Sequence, residues 1–502
     1  MSHPLLYEIN TRCWLRELSA REGRAVTLAD IPDSEFESWQ KAGFTHIWLM
    51  GVWTGGPKAR AKAMETAAQK KAYADALPDC REDDIGPSPY AVADYTVAEA
   101  LGGEAGLQAF RRRLNGKGMK LVLDFVPNHL GLDHAWLRQR PELFVQSPKE
   151  AAGTFAQETN GGIRWLAHGK DPYFPPWTDT VQLDYRSEET RRVMTELLQT
   201  IAGRCDGVRC DMAMLILADI FEKTWQHMPV TPEPRKGGTT NEFWSSAVAS
   251  VKEAHPGFLF LAEAYWGLEG KLQSLGFDYT YDKELYDLLT TRNSQGPQSY
   301  LLSKSREFIS RSAHFLENHD EPRIASILNP AEHRAAALLI LGLPGMRLLY
   351  QGQLAGATIK NPVQLLRRQA EEAKPEIEKM YDELLTVLKQ TSVGQGKAEL
   401  LQPRPAWSGN PTAGNIVLVQ WQREARVFEL VTVNLAPHAS QCYAQVRLPA
   451  GAAKEWELRD LLGDERYIRA ADDLQNQGLY LELRAHAAQL FRFQPLPKPL
   501  TV

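Results

Sequence analysis

Apolar residues in this chain gather in short runs, most of them closed by a polar group. The runs are LLYEIN (5–10), THIWLM (45–50), KLVLDFV (120–126), DGVRCD (206–211), FLFLAE (258–263), FDYTYD (277–282), SAHFLEN (312–318) and MRLLYQG (346–352). Each is shorter than an ordinary helix and many carry branched or aromatic side chains, so each predicts a buried strand. Between them lie segments of helical period, such as GLQAFRRRLNGKG (106–118) and SEETRRVMTELLQTIA (187–202). The second opens on Ser187 with acids in its first turn, the signature of a helix start. Eight strands alternating with helices predict an α/β fold, a (β/α)8 TIM barrel.

Three stretches interrupt this alternation. After strand 3, residues 129–186 are rich in Pro, Gly and aromatics, as in DPYFPPWTD (171–179), and predict a small inserted subdomain. After strand 2, residues 51–89 hold KARAKAMETAAQKKAYADAL (58–77), an Ala- and Lys-rich stretch that reads as a solvated surface helix or a mobile lid. Residues 215–240 read as a long loop. Beyond TSVGQGK (391–397) the character changes to short strand-like runs: NIVLVQW (415–421), FELVTVNL (428–435), QCYAQVRL (441–448), GLYLEL (478–483) and AQLFRF (488–493). These predict a C-terminal all-β sandwich over 392–502, behind a barrel domain over 1–391.

The chain is 43% hydrophobic, enough for a large core. A net charge of −5 supplies no basic surface for nucleic acid or an anionic membrane. No apolar run approaches the ~20 residues of a transmembrane helix, and MSHPLLYEINTRCWL lacks a signal-peptide pattern. The five cysteines, Cys13, Cys80, Cys205, Cys210 and Cys442, are odd in number and form no CxxC. That argues against a disulfide framework or a zinc site and for a reducing cytoplasm. Thirteen Trp and sixteen Tyr serve packing or stacking on sugar faces.

The acids that close the runs carry the chemistry. A parallel barrel presents its reactive groups on the loops at the carboxyl ends of its strands. Asp211 and Glu263 are 52 residues apart, and Glu263 and Asp320 are 57 apart. At ~31 residues per βα unit, these acids follow strands 4, 5 and 7. Three carboxyls converging on one pocket point to glycosidic bond chemistry. Arg209, on the same strand face as Asp211, supplies positive charge that favours an ionised acid. Asp124, on the neighbouring strand, is placed to orient that Arg.

The segments LDFVPNH (123–129), GVRCD (207–211), AE (262–263) and NHDEPR (318–323), preceded by SPYAVADY (88–95), resemble the motifs of the α-amylase family, glycoside hydrolase family 13. The resemblance implies a retaining enzyme that cleaves α-1,4-linked glucose oligomers through a covalent glycosyl-enzyme. It implies Asp211 as nucleophile, Glu263 as general acid/base with a raised pKa, and Asp320 as transition-state stabiliser. It implies Arg209, His129, His319, Tyr90, Asp94 and Trp266 as substrate-binding, with Trp53, Trp165 and Trp177 as further aromatic candidates. Arg323 pairs with a nearby acid or contacts sugar.

Two positions depart from the family pattern. Met212, Ala213, Met214 and Leu215 stand where many members have a Lys-His pair, which leaves open hydrolysis against transfer. Asn128 matches a calcium ligand, but Gln182 stands where an aspartate ligand is usual. No cofactor is required on this reading, and calcium is the one candidate. The expected partner is an α-glucan, with neither nucleic acid nor membrane. The alternatives are an α-glucanotransferase and a non-catalytic glucan-binding relative.

Overall fold

The computed structural model describes residues 2–229, 242–449 and 453–496. Eight parallel strands close into a barrel: β1 (Leu5–Asn10), β2 (His46–Met50), β3 (Lys120–Phe125), β4 (Gly207–Cys210), β5 (Leu259–Ala262), β6 (Tyr279–Tyr281), β7 (Ser312–His314) and β8 (Met346–Tyr350). Each lies within one of the eight apolar runs. The runs are apolar throughout because both faces are buried. One set of side chains fills the barrel interior, with Leu6, Trp48, Val122, Leu261, Tyr281 and Leu348 in one cluster. The alternate set, including Val208 and Cys210, packs under the surrounding helices. Arg209 lies between those two in the sequence, so it points inward, where it is fully buried.

The β2 insertion forms two short helices, α1 (Pro57–Ala63) and α2 (Ala67–Ala76), rather than one over 58–77. The first ends at Ala63, and Thr66 caps the second: its hydroxyl accepts from Gln69 N, and the Gln69 side chain accepts from Thr66 N. That reciprocal cap is a helix start signal inside an apparently continuous pattern. The β3 insertion carries the hairpin Thr154–Thr159/Gly162–Ala167 and a two-stranded pairing of His129–Gly131 with Thr180–Gln182. The loop predicted over 215–240 contains a helix at Ala218–Trp225; its residues 230–240 lie outside the described residues.

The C-terminal strands form a six-stranded and a three-stranded sheet. Leu418, Leu430 and Phe493 of the first share one core with Cys442 and Leu481 of the second. The opposite face of the large sheet lies on α3 (Pro330–Gly342), a helix apolar on almost every side. Such a helix needs cover all round. Trp421 completes the joint by donating its indole N–H to Gly342 O at 2.7 Å.

Candidate active site

The strand register brings the acids together. Asp211 N donates to Phe125 O and Glu263 N to Cys210 O, so the parallel ladder continues one residue past the strand ends. Both side chains meet the buried Arg209. Its Nη1 lies 2.8 Å from Asp211 Oδ1 and its Nη2 2.7 Å from Glu263 Oε2. Glu263 also accepts from Tyr265 Oη at 2.7 Å and from Met212 N at 2.7 Å. Met212 reaches that donor position with a φ of 41°, a region non-glycine residues seldom occupy. Asp124 is not the close partner of Arg209: its Oδ1 stands 3.6 Å from Nη1.

The charge balance departs from the expectation that Arg209 keeps Asp211 low. Burial pushes Asp211 up to about 8; Arg209 pulls against it, and the adjacent Glu263 charge adds to the rise. One guanidinium shared with a second carboxylate does not offset the desolvation of Asp211. Burial likewise raises Asp124 to about 6 despite Arg209.

A second charged group stands opposite. His319 Nδ1 lies 2.5 Å from Glu8 Oε1, and both side chains are fully buried. Its Nε2 faces Asp320 Oδ2 at 3.0 Å and Tyr90 Oη at 2.8 Å. Burial alone would lower the His319 pKa, but Asp320 and Glu8 together hold it well above the usual value, as an imidazolium. Burial would raise Asp320, yet the His319 charge and hydrogen bond hold it well below the carboxylate range. Asp320 keeps 45% of its side chain exposed, facing the cleft. Glu8 sits in the middle of β1. A lone acid inside the apolar run LLYEIN was the available signal, and sequence reasoning passed over it.

Tyr90, His129, Asp211, Glu263 and Asp320 line a cavity of about 460 Å³. Arg209 and His319 lie behind them. Burial lowers His129 to about 4, which keeps it a neutral hydrogen-bonding group. Trp177 lines the same cavity against His129, with ring centroids 5.1 Å apart. Trp53 instead donates to Asp124 O from within the core, and Trp165 lies on the β3-insertion hairpin. Lys62, Glu65, Thr66, Gln69, Asp179 and Gln364 also reach the cavity; none was picked out from the sequence.

Two expected contacts are corrected. Asp94 lies exposed on the strand Val92–Val97, because strand alternation turns its neighbour Tyr95 into the core instead. Trp266 is 41% exposed and outside the cavity. Positive φ at Trp266 and Gly267 turns the chain outward there, and its ring meets Tyr173 edge to face at 4.9 Å. Arg323 takes the structural alternative. It pairs with buried Glu317 at 2.7 Å and donates to Gln351 O at 2.8 Å.

The residues around Asn128 do not fit calcium. Gln182 Nε2 donates to Asn128 Oδ1 at 2.9 Å and to Asn128 O at 2.8 Å, so N–H groups point where a cation would need oxygens. Among the described residues no cluster of three or more His, Cys, Asp or Glu is placed to hold a metal.

Comparison with known proteins gives the family and the fold. The model of the α-amylase catalytic domain matches residues 37–414. The chain is 24% identical over 283 residues to α-amylase MalA of Haloarcula japonica, covering 55% of this chain and 37% of that one. It is 28% identical over 203 residues to a Pseudomonas aeruginosa α-1,4-glucan:maltose-1-phosphate maltosyltransferase (39% and 25%). It is 24% identical over 315 residues to Escherichia coli trehalose-6-phosphate hydrolase (54% and 55%). The chain thus spans about half or less of the length of these relatives. The crystal structure of a maltogenic α-amylase, AmyB from Thermotoga neapolitana, superposes with a TM-score of 0.68 at 18% identity, covering 98% of this chain and 99% of that one.

Proposed function

The chain belongs to the α-amylase catalytic-domain family, and on that premise we propose that it is a retaining glycoside hydrolase of α-1,4-linked glucose oligomers. The observation that carries the reading is the Arg209 bridge between Asp211 and Glu263 at the mouth of the barrel. Contact with adjacent nitrogens of one guanidinium supports a close carboxyl pair, as in retaining sites at ~5–5.5 Å, rather than the ~6.5–9.5 Å of inverting ones.

Asp211 attacks the anomeric carbon as the glycosidic C–O bond breaks, and Glu263 gives its proton to the leaving oxygen. Water then attacks the glycosyl-enzyme and returns a proton to Glu263, and Asp211 leaves as carboxylate. Ionised Asp320, paired with His319, stabilises the positive charge that develops on the sugar. His129 and Tyr90 contact its hydroxyls and ring.

Among the described residues Lys62 is the only Lys or Arg lining the cavity, facing Glu65, Asp179, Asp211, Glu263 and Asp320. That field disfavours the phosphorylated sugars in the names of two relatives. Transfer to a second sugar is the other reading. A relative named as a maltosyltransferase favours it. The free cysteines fit a reducing compartment, and we place the enzyme in the cytoplasm. Among the described residues no helix is long and apolar enough to cross a membrane. A time course on maltoheptaose resolving all products tests the proposal. Shorter oligomers alone support hydrolysis, longer ones mean transfer, and no change refutes both.

A further inference from the structure

We infer that α1 and α2 form a fixed wall of the cleft that reads a sugar ring beyond the one at the carboxyls, through Lys62 and Gln69, and that this ring is uncharged. The inference deepens the glucan reading and rests on it for the identity of the sugar.

The insertion is anchored at both ends, unlike a lid. Asp133 Oδ2 accepts from Lys58 N at 3.0 Å and Ala59 N at 3.2 Å. Arg60 donates to Ile85 O at 2.8 Å and Glu82 O at 2.9 Å. Tyr73 Oη ties α2 to α1 through Ala63 O at 2.8 Å. Beneath them Ala63, Tyr73, Ala76, Leu77 and Ile85 make a small core with Leu365 of the β8 loop. Asp84 closes the base, paired with Arg16 at 3.0 Å and Arg367 at 2.8 Å.

What this unit turns to the cleft is polar and internally balanced. Lys62 Nζ lies 2.9 and 3.1 Å from the two oxygens of Glu65, so this pair adds no net charge to the cleft. Gln69 Oε1 is occupied by Thr66 N at 3.2 Å and Thr66 Oγ1 at 2.8 Å. Its amide N–H groups are left to donate into the cavity that both residues line with Asp211 and Glu263. Neutral, closely spaced donors and acceptors match sugar hydroxyls, whereas a phosphate would meet no unpaired cation there.

The test is calorimetric titration in a Glu263→Gln background, where binding is read without turnover. Lys62→Met keeps the aliphatic stem and removes the charge. Gln69→Glu keeps the capping acceptor of α2 and removes the amide donors. In the combined variant, affinity for maltotetraose relative to maltose should fall about tenfold, as expected for lost hydrogen bonds to one ring. An unchanged ratio overturns the wall, as does an equal loss on both sugars. Glucose 1-phosphate binding more tightly than glucose overturns the uncharged ligand. Failure of the wild type to turn over maltoheptaose counts against the proposed function alone, since the ratio is measured independently of cleavage.

Discussion

Replacing Glu8 by glutamine removes one charge and almost no volume. Glu8 Oε1 is 2.5 Å from His319 Nδ1, with no solvent on either side chain, so neither water nor salt screens the pair. A hydrogen bond between charged groups contributes ~1.5–3 kcal/mol, which at 1.36 kcal/mol per pKa unit is a fall of ~1–2 units for His319. Its pKa is raised in the folded protein. The stabilisation from its ion pairs is therefore complete below the unfolded value of ~6.5 and is lost as pH rises through the folded value. In Glu8→Gln that loss comes ~1–2 pH units earlier. Asp320 then faces a neutral imidazole, and the charge that holds it low is gone. The assay is kcat/KM on maltoheptaose against pH, with melting temperature followed in parallel. Both alkaline limbs should move down by ~1–2 units. An alkaline limb of kcat/KM unmoved by the substitution refutes the relay from Glu8 through His319 to Asp320.

Asp211→Asn should abolish turnover while leaving the melting temperature within a few degrees, because its amide still accepts from Arg209; wild-type rates would sink the nucleophile assignment. Glu263→Gln should cut the rate at least ~10²-fold, less in the glycosylation step with good leaving groups; equal losses across leaving groups in that step would argue against an acid role. A chelator should change neither activity nor melting, since Gln182 offers Asn128 N–H groups; loss of either would reinstate calcium. Arg323→Met should cost about 3–5 kcal/mol in denaturant unfolding by stranding buried Glu317; an affinity change without that loss would place Arg323 on the sugar.

The barrel was legible because burial on both faces makes its strands read as unbroken apolar runs. That Asp211, Glu263 and Asp320 reach one cavity was legible because the loops at strand ends are where polar residues interrupt such runs. What escaped had different physical causes. Glu8 is hidden by its own strand: its partner His319 is 311 residues away, and no local pattern pairs them. The α1–α2 wall is polar and Ala-rich, so its periodicity is that of any surface helix; only the tertiary anchors through Asp133 and Leu365 reveal a cleft wall. Asp94 was misplaced because motif proximity to Tyr90 ignores strand alternation, which buries Tyr95 and exposes its neighbour. Trp266 was misplaced because positive φ at consecutive residues cannot be read from a Trp-Gly pair alone.

The charges of the site explain how it holds a proton near neutral pH. Arg209 faces Asp124, Asp211 and Glu263, while His319 faces Glu8 and Asp320. Five buried or half-buried acids thus share two cations, and full ionisation would leave an uncompensated negative charge in a dry interior. The deficit is largest around Arg209, where three acids divide one guanidinium, and there Asp211 and Asp124 are pushed up. Around His319 the ratio is two to one, and there Asp320 is held down. The cluster is therefore divided into a half where burial favours the protonated form and a half that keeps a negative charge for the developing cation. The division has a measurable consequence in Glu263→Gln. With that charge gone, one cause of the rise at Asp211 disappears, so Asp211 should ionise at lower pH. With an activated aryl glycoside, which needs little acid assistance, the acid limb of kcat/KM should move to lower pH than in the wild type. A limb that stays in place would mean that the Glu263 charge does not raise Asp211.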